Sequence, residues 1–208
     1  MLPLLLLISC GGDTPSSLLD DVAATESWAF DGLTCPAHVV RTEMGVPHIY
    51  AQNQVDLARI QGFVVARDRY FMMEIARRLG LGTVSALLGD SALETDMESR
   101  GTGMTHVADH LLANFSEEEA AWFDAFAAGV SDYVEAAKAG MLPVPSELEI
   151  FGPVLGFYEP SDLLEPWTRR DVAGMAAVIV YNLGYETTDV GNQETRDQGE
   201  GQFEGVAL

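Results

Sequence analysis

The sequence predicts an α+β domain, mostly helical, that opens with a short β-hairpin. Three observations carry this prediction. Val39-Val40-Arg41 and Pro47-His48-Ile49-Tyr50-Ala51 are strand-like runs on either side of Thr42-Glu43-Met44-Gly45-Val46, a turn that contains glycine. Apolar residues recur at helical spacing over Leu57, Ile60, Val64, Phe71, Ile75 and Leu79, and again over Phe123, Ala127, Val130, Val134 and Ala137. Finally, 208 residues of 48% hydrophobic composition are enough to bury a packed core.

Local signals bound each element in turn. Pro47 starts the second strand, where its missing N–H does no harm. Asn53 is the expected N-cap of the first long helix and Gly80 its left-handed stop. Five of the ten arginines, Arg59, Arg67, Arg69, Arg77 and Arg78, lie in this helix, as solvated faces or as structural ion pairs. Asp68 falls on the stripe of Val64, Phe71 and Ile75, so it is either paired inside or the stripe bends there. Glu74 reaches Arg77 or Arg78 at helical spacing. Ser116 and Glu119 form a capping box ahead of the second long helix, and Gly140 closes that helix. Residues 141 to 167, with Leu142-Pro143, Phe151-Gly152-Pro153 and Pro166-Trp167, read as an ordered looping connection. Thr168 and Asp171 cap a third helix from Val172 to about Leu183, apolar nearly all round and therefore expected to be buried.

Charge narrows the function classes. With 32 acidic against 11 basic residues the net charge is -21, which repels nucleic-acid phosphates and anionic headgroups. Nucleic acid is thereby excluded as a partner. Lys138 is the one lysine among the basic residues, and the arginines suit packed ion pairs better than a lysine-rich binding face.

At the N-terminus Leu2 to Ile8 is an apolar run too short to span a bilayer, followed by Ser9-Cys10-Gly11-Gly12-Asp13. Leu7-Ile8-Ser9-Cys10 resembles the lipobox of bacterial lipoproteins. Residues 1–9 accordingly read as a signal peptide and Cys10 as the lipidated first residue of the mature chain. Residues 10–34 read as a tether, 35–186 as the domain, and 187–208 as a polar acidic tail. Export to the periplasm or the cell surface follows, with the membrane met through the lipid anchor only. Cys10 and Cys35 could pair in a secreted protein, but the lipobox gives them separate fates and leaves Cys35 an inert thiol.

No Gly-x-Ser-x-Gly elbow or Gly-Ser-Asn segment marks a nucleophile. His48 sits in the hairpin with no evident acidic partner and reads as a structural hydrogen-bonding residue. His106 and His110 stand at i, i+4 with Asp109 between them, yet a third ligand and the acid of a zinc-protease helix are both missing.

The hairpin residues Val39 to Ala51 resemble the opening signature of penicillin acylase α chains, with Thr42 where that family commonly has Asp. The following helix, Gly62-Phe63-Val64-Val65-Ala66-Arg67-Asp68-Arg69-Tyr70-Phe71-Met72-Met73-Glu74 with Arg77-Arg78, is similar to the family's next landmark. Gly82-Thr83-Val84-Ser85-Ala86-Leu87-Leu88-Gly89, Asp96, Arg100, Phe126 to Val130, Leu142-Pro143, Pro166-Trp167 and Asp171 continue it in order over roughly residues 38 to 185. The resemblance implies the α-chain part of a four-layer αββα N-terminal-nucleophile hydrolase, cut from a precursor. A β chain would supply the N-terminal Ser nucleophile, its own amine as base, and the oxyanion donors, so no catalytic residue is expected in this chain.

Aligning Asp171 and Asn182 with the family places Val180, Leu183 and Gly184 at positions that line the acyl pocket or face the leaving group. Leu183 and Gly184 replace an Arg and a Phe of the best-known members, which implies a wider apolar pocket for an aliphatic acyl chain. Core packing is the competing account of these residues. The resemblance also implies a structural calcium, with Asp189 as the aligned carboxylate and Glu194 as its fallback. The expected function is hydrolysis of linear amide bonds of N-acylated small molecules, of β-lactam or acyl-homoserine-lactone type. Its rival is a non-enzymatic lipoprotein that keeps a truncated α-type domain as a binding module.

Overall fold

Two short strands, β1 (His38–Arg41) and β2 (Pro47–Tyr50), pair antiparallel with His38 opposite Tyr50 and Arg41 opposite Pro47. The turn is closed by the Thr42 N–H on the Val46 carbonyl and the Gly45 N–H on the Thr42 carbonyl. Gly45 sits there at φ 78°, where a side chain would be strained. The computed structural model describes residues 23–153, 156 and 159–184. The expected fold class holds in them: a mostly helical chain entered through a hairpin.

Helix α1 (Gln54–Leu81) starts as expected, with the Asn53 Oδ1 accepting the Asp56 N–H at 2.8 Å. Its stop is Gly82 at φ 59°, not Gly80. Gly80 serves another purpose: a Cβ there would lie 1.9 Å from the Gly174 carbonyl oxygen, so glycine lets a second helix cross at backbone distance. The buried stripe also differs from the expected one. It runs through Ile60, Phe63, Tyr70, Met73 and Leu81 and takes in Glu74, Arg77 and Arg78, because a cluster of paired charges occupies positions that a purely apolar pattern would skip.

At Asp68 the stripe bends, the second of the two expected alternatives, and burial of this acid against an arginine is what is corrected. Arg69 has non-helical angles (φ -147°, ψ 27°), so the helix breaks at this point and Asp68 turns to the surface. There it takes both guanidinium nitrogens of Arg41 on β1 at 2.9 Å. With side chains 36% and 34% exposed, the pair is a surface bridge. Asp68→Ala should therefore lose less than about 1 kcal/mol in a denaturant titration, and a loss above about 3 kcal/mol would restore the buried reading.

Helix α5 (Glu117–Lys138) carries the expected capping box, with the Ser116 Oγ accepting the Glu119 N–H and the Glu119 carboxylate accepting the Ser116 N–H. Gly140 closes it at φ 70°. The α1 and α5 backbones touch where Gly62 faces the Phe126 carbonyl and Gly129 faces that of Arg59. Arg59 then clamps the crossing by a bidentate pair with Asp132, at 2.7 and 2.8 Å. Around it lie Phe63, Phe126, Val130, Tyr133 and Val134, the centre of the core.

Between these long helices the chain forms α2 (Ser85–Leu88), α3 (Leu93–Gly101) and α4 (Met104–Asn114), none of which the apolar pattern announced. Helix α6 (Ser146–Phe151) interrupts the looping connection, and α7 (Arg169–Gly184) ends the described chain. Ahead of the hairpin, packing begins before Cys35. Trp28, Phe30 and Leu33 lie on the core, and the buried Asp56 carboxylate accepts the Thr34 N–H, the Thr34 hydroxyl, the Cys35 N–H and the Asn53 amide. Burial opposes its charge, but these donors outweigh that and hold the carboxyl below its ordinary range.

Cys35 is disulfide-bonded, not the inert thiol expected. The one other cysteine in the sequence is Cys10, outside the described residues.

Candidate functional site

The expected pocket residues sit at the end of α7, and what holds that helix in place is a cluster of charges on α1. The Glu74 carboxylate lies at its centre, accepting the Arg77 Nε at 2.8 Å and the Arg78 Nε at 2.7 Å. Arg77 also donates to Asp171 on the first turn of α7 at 2.8 Å, and both arginines reach Glu165. The Arg77 guanidinium lies 5.7 Å from the centre of the Trp167 ring, a cation–π contact. Glu74, Arg77, Arg78 and Asp171 are all buried, so each charge depends on the others for its compensation.

Asp171 closes the first turn of α7 as well, accepting the Thr168 N–H at 2.7 Å and the Thr168 hydroxyl at 2.6 Å. Burial resists its charge, yet Thr168 and Arg77 hold its carboxyl below the ordinary range. Trp167 is fixed on α5, where the Ser131 Oγ accepts its backbone N–H at 2.9 Å. The Tyr70 hydroxyl accepts the Glu165 N–H and donates to the Glu165 carbonyl. Burial, followed by the nearby Glu74 charge, raises the phenol above its usual range, so it stays a neutral donor.

The result is a helix anchored at one end only. Val172, Ala173, Gly174, Ala177 and Val178 are buried, but Ile179 is 48% exposed, Val180 61% and Leu183 84%, and Gly184 is exposed too. The expectation that this apolar helix is buried throughout is thus corrected for its last turns. Val180, Leu183 and Gly184 are brought together on an open apolar end, whereas Asp189 and Glu194 lie outside the described residues, as does Cys10.

The other sequence landmarks prove to be scaffolding. Asp96 accepts the Val84 and Ser85 N–H groups and the Ser85 hydroxyl, and Arg100 donates twice to the Gly82 carbonyl. Together they clasp the turn after α1, and a Cβ on Gly82 would strike the Arg100 side chain at 2.7 Å. His48 is exposed, and its side chain makes no hydrogen bond among the described residues, so the structural bond expected of it is not seen. Among these residues no group of three or more His, Cys, Asp or Glu side chains is placed to hold a metal, and no helix is long and apolar enough to cross a membrane. Sequence reasoning missed Glu165, Tyr70 and Ser131; only the neighbouring Pro166-Trp167 landmark pointed towards them.

The family model described as penicillin amidase matches residues 36–206. The chain belongs to the penicillin amidase family. Over 141 residues it is 36% identical to the penicillin acylase 2 proenzyme of Pseudomonas sp. (strain SE83), covering 68% of this chain and 16% of that protein. It is 33% identical over 128 residues to penicillin G acylase of Escherichia coli, covering 60% and 15%. With an acyl-homoserine lactone acylase of Pseudomonas syringae pv. tomato it shares 31% over 142 residues, covering 64% and 17%. A solved structure of the thermostable penicillin G acylase from Alcaligenes faecalis superposes with a TM-score of 0.61 at 28% identity, over 80% of this chain and 84% of that one. The chain therefore spans about a sixth of the length of the curated relatives it matches.

Proposed function

We propose that this chain is the α-chain portion of an exported amidohydrolase that cleaves linear amide bonds of N-acylated small molecules, of β-lactam or acyl-homoserine-lactone type. The carrying observation is the apolar end of α7, where Ile179, Val180 and Leu183 are exposed, on a helix whose first turn is tied to α1 through Asp171 and Arg77. Apolar surface of this kind marks a binding or assembly face. Its cover is a β chain encoded in the same precursor, and Val180, Leu183 and Gly184 then line the acyl side of the joint pocket. Leu183 and Gly184 present no cation to a carboxylate, which favours an aliphatic acyl group over a charged partner group.

The nucleophile and the oxyanion donors belong to the β chain. Amide hydrolysis needs both, since losing one such donor costs about 100-fold or more in rate. Residues 1–208 expressed alone should hydrolyse no acyl amide, and activity should appear when a matching β chain is co-expressed. Turnover by the purified chain, abolished by a substitution within it, would overturn this reading.

Two further assignments rest on the sequence alone. Asp189 offers one carboxylate to a structural calcium, to be checked by equilibrium dialysis of the full-length protein and its Asp189→Asn variant. The lipobox implies a lipid anchor on Cys10 at the periplasmic or outer surface, whereas a disulfide from Cys35 within the chain would take the same sulfur, and mass spectrometry of the exported chain decides between an acylated and a disulfide-linked Cys10. The same spectrum reads Cys35, because a thioether-linked Cys10 has no sulfur left for a disulfide.

A further inference from the structure

His106 and His110 lie one turn apart on α4, and both are exposed. Ala108, midway between them, is fully buried in a small cluster with Leu81, Ala173 and Ala177, so the two imidazoles project from the opposite, solvent-facing side of the helix. Their ring centroids are 6.4 Å apart and their planes differ by 31°. Competing partners are few. Asp109 is engaged with Arg170 at 3.0 Å, and the Asn114 amide, 3.4 Å from both ring nitrogens of His110, donates its short bond to the His110 carbonyl at 2.8 Å.

We propose that His106 and His110 form a two-imidazole chelate for a late first-row divalent ion, cupric ion above all, with water in the remaining positions. Neutral imidazole suits copper, nickel and zinc, and affinity rises along the series to copper, whereas calcium takes oxygen ligands. Metal–nitrogen bonds of about 2.0 to 2.1 Å draw the rings closer than they now stand. Exposed side chains make that adjustment by rotating between staggered conformers. Once one imidazole holds the ion, the second binds intramolecularly, which raises affinity well above that of a lone histidine. The net charge of -21 adds a field that concentrates cations. Two ligands leave the ion's other positions open, so this site differs from the three-ligand catalytic zinc site the sequence lacks, and it stands independently of the acylase reading.

The test is calorimetric titration of Cu2+ into the chelator-stripped full chain. A site should appear whose affinity falls more than about tenfold in His106→Ala and in His110→Ala, and is retained in a His38→Ala/His48→Ala double variant that removes the two hairpin histidines. Circular dichroism checks that the helix content survives. In the unsubstituted chain, Cu2+ at substoichiometric amounts should broaden the His106 and His110 imidazole proton signals first. Unchanged affinity in both single variants, or broadening that spares these two rings, would overturn the proposal.

Discussion

Glu74→Ala is expected to cost about 3 to 5 kcal/mol, as stranding a buried charge does. The carboxylate is 1% exposed and is the partner shared by Arg77 and Arg78. Without it the cluster keeps two buried guanidiniums against Asp171 and a half-exposed Glu165. Arg77 keeps its charge in the variant, because a guanidinium is not deprotonated in proteins even when buried. Neutralisation is therefore no escape. Urea unfolding followed by circular dichroism measures the loss, and Glu74→Gln, which keeps the shape, should show most of it. A loss below about 1 kcal/mol in both variants would mean that water already compensates these charges.

Gly80→Ala should be nearly as damaging, although alanine is the better helix former by about 1 kcal/mol. Its Cβ would lie 1.9 Å from the Gly174 carbonyl oxygen, and the obstacle is backbone, so α7 must move away from α1. That movement pulls Asp171 from Arg77, and the combined loss should reach about 3 kcal/mol or more. Gly101→Ala is the control. Nothing lies within 4 Å of a Cβ there and its φ is not positive, so stability should stay level or rise by under about 1 kcal/mol. If both variants unfold at the same urea concentration, the close crossing of α1 and α7 is not what Gly80 provides.

The hairpin, the Asn53 and Ser116 caps, the Gly140 stop and the face of α5 are legible in the sequence because each depends on residues a few positions apart. Gly80 is the opposite case. Its role is set by Gly174, which meets it only when α7 folds back across α1. The stripe of α1 is misplaced by an apolar pattern because Glu74, Arg77 and Arg78 occupy the interior, and charges count as surface until their partners are known. Helix α4 is hard to discern although Met104, Val107, Ala108, Leu111 and Leu112 fit a helical spacing, since its buried face is small. Val180, Leu183 and Gly184 share one face of α7 by their spacing, but their exposure is not legible in a helix that is apolar nearly all round.

The small cluster beneath α4 bears on motion. Leu81, Ala108, Ala173 and Ala177 supply its buried apolar side chains, and Ala108 is the one buried residue that α4 itself contributes. Leu112 and Phe123 pack on this cluster half-buried, so it withdraws less surface from water than the Phe, Tyr and Val side chains joining α1 to α5, each worth about 1.5 to 3 kcal/mol when a large one is fully buried. Helix α4 can thus detach locally without disturbing the main core. In native-state hydrogen exchange its amides should exchange through a low-energy opening while those of α1 and α5 wait for global unfolding.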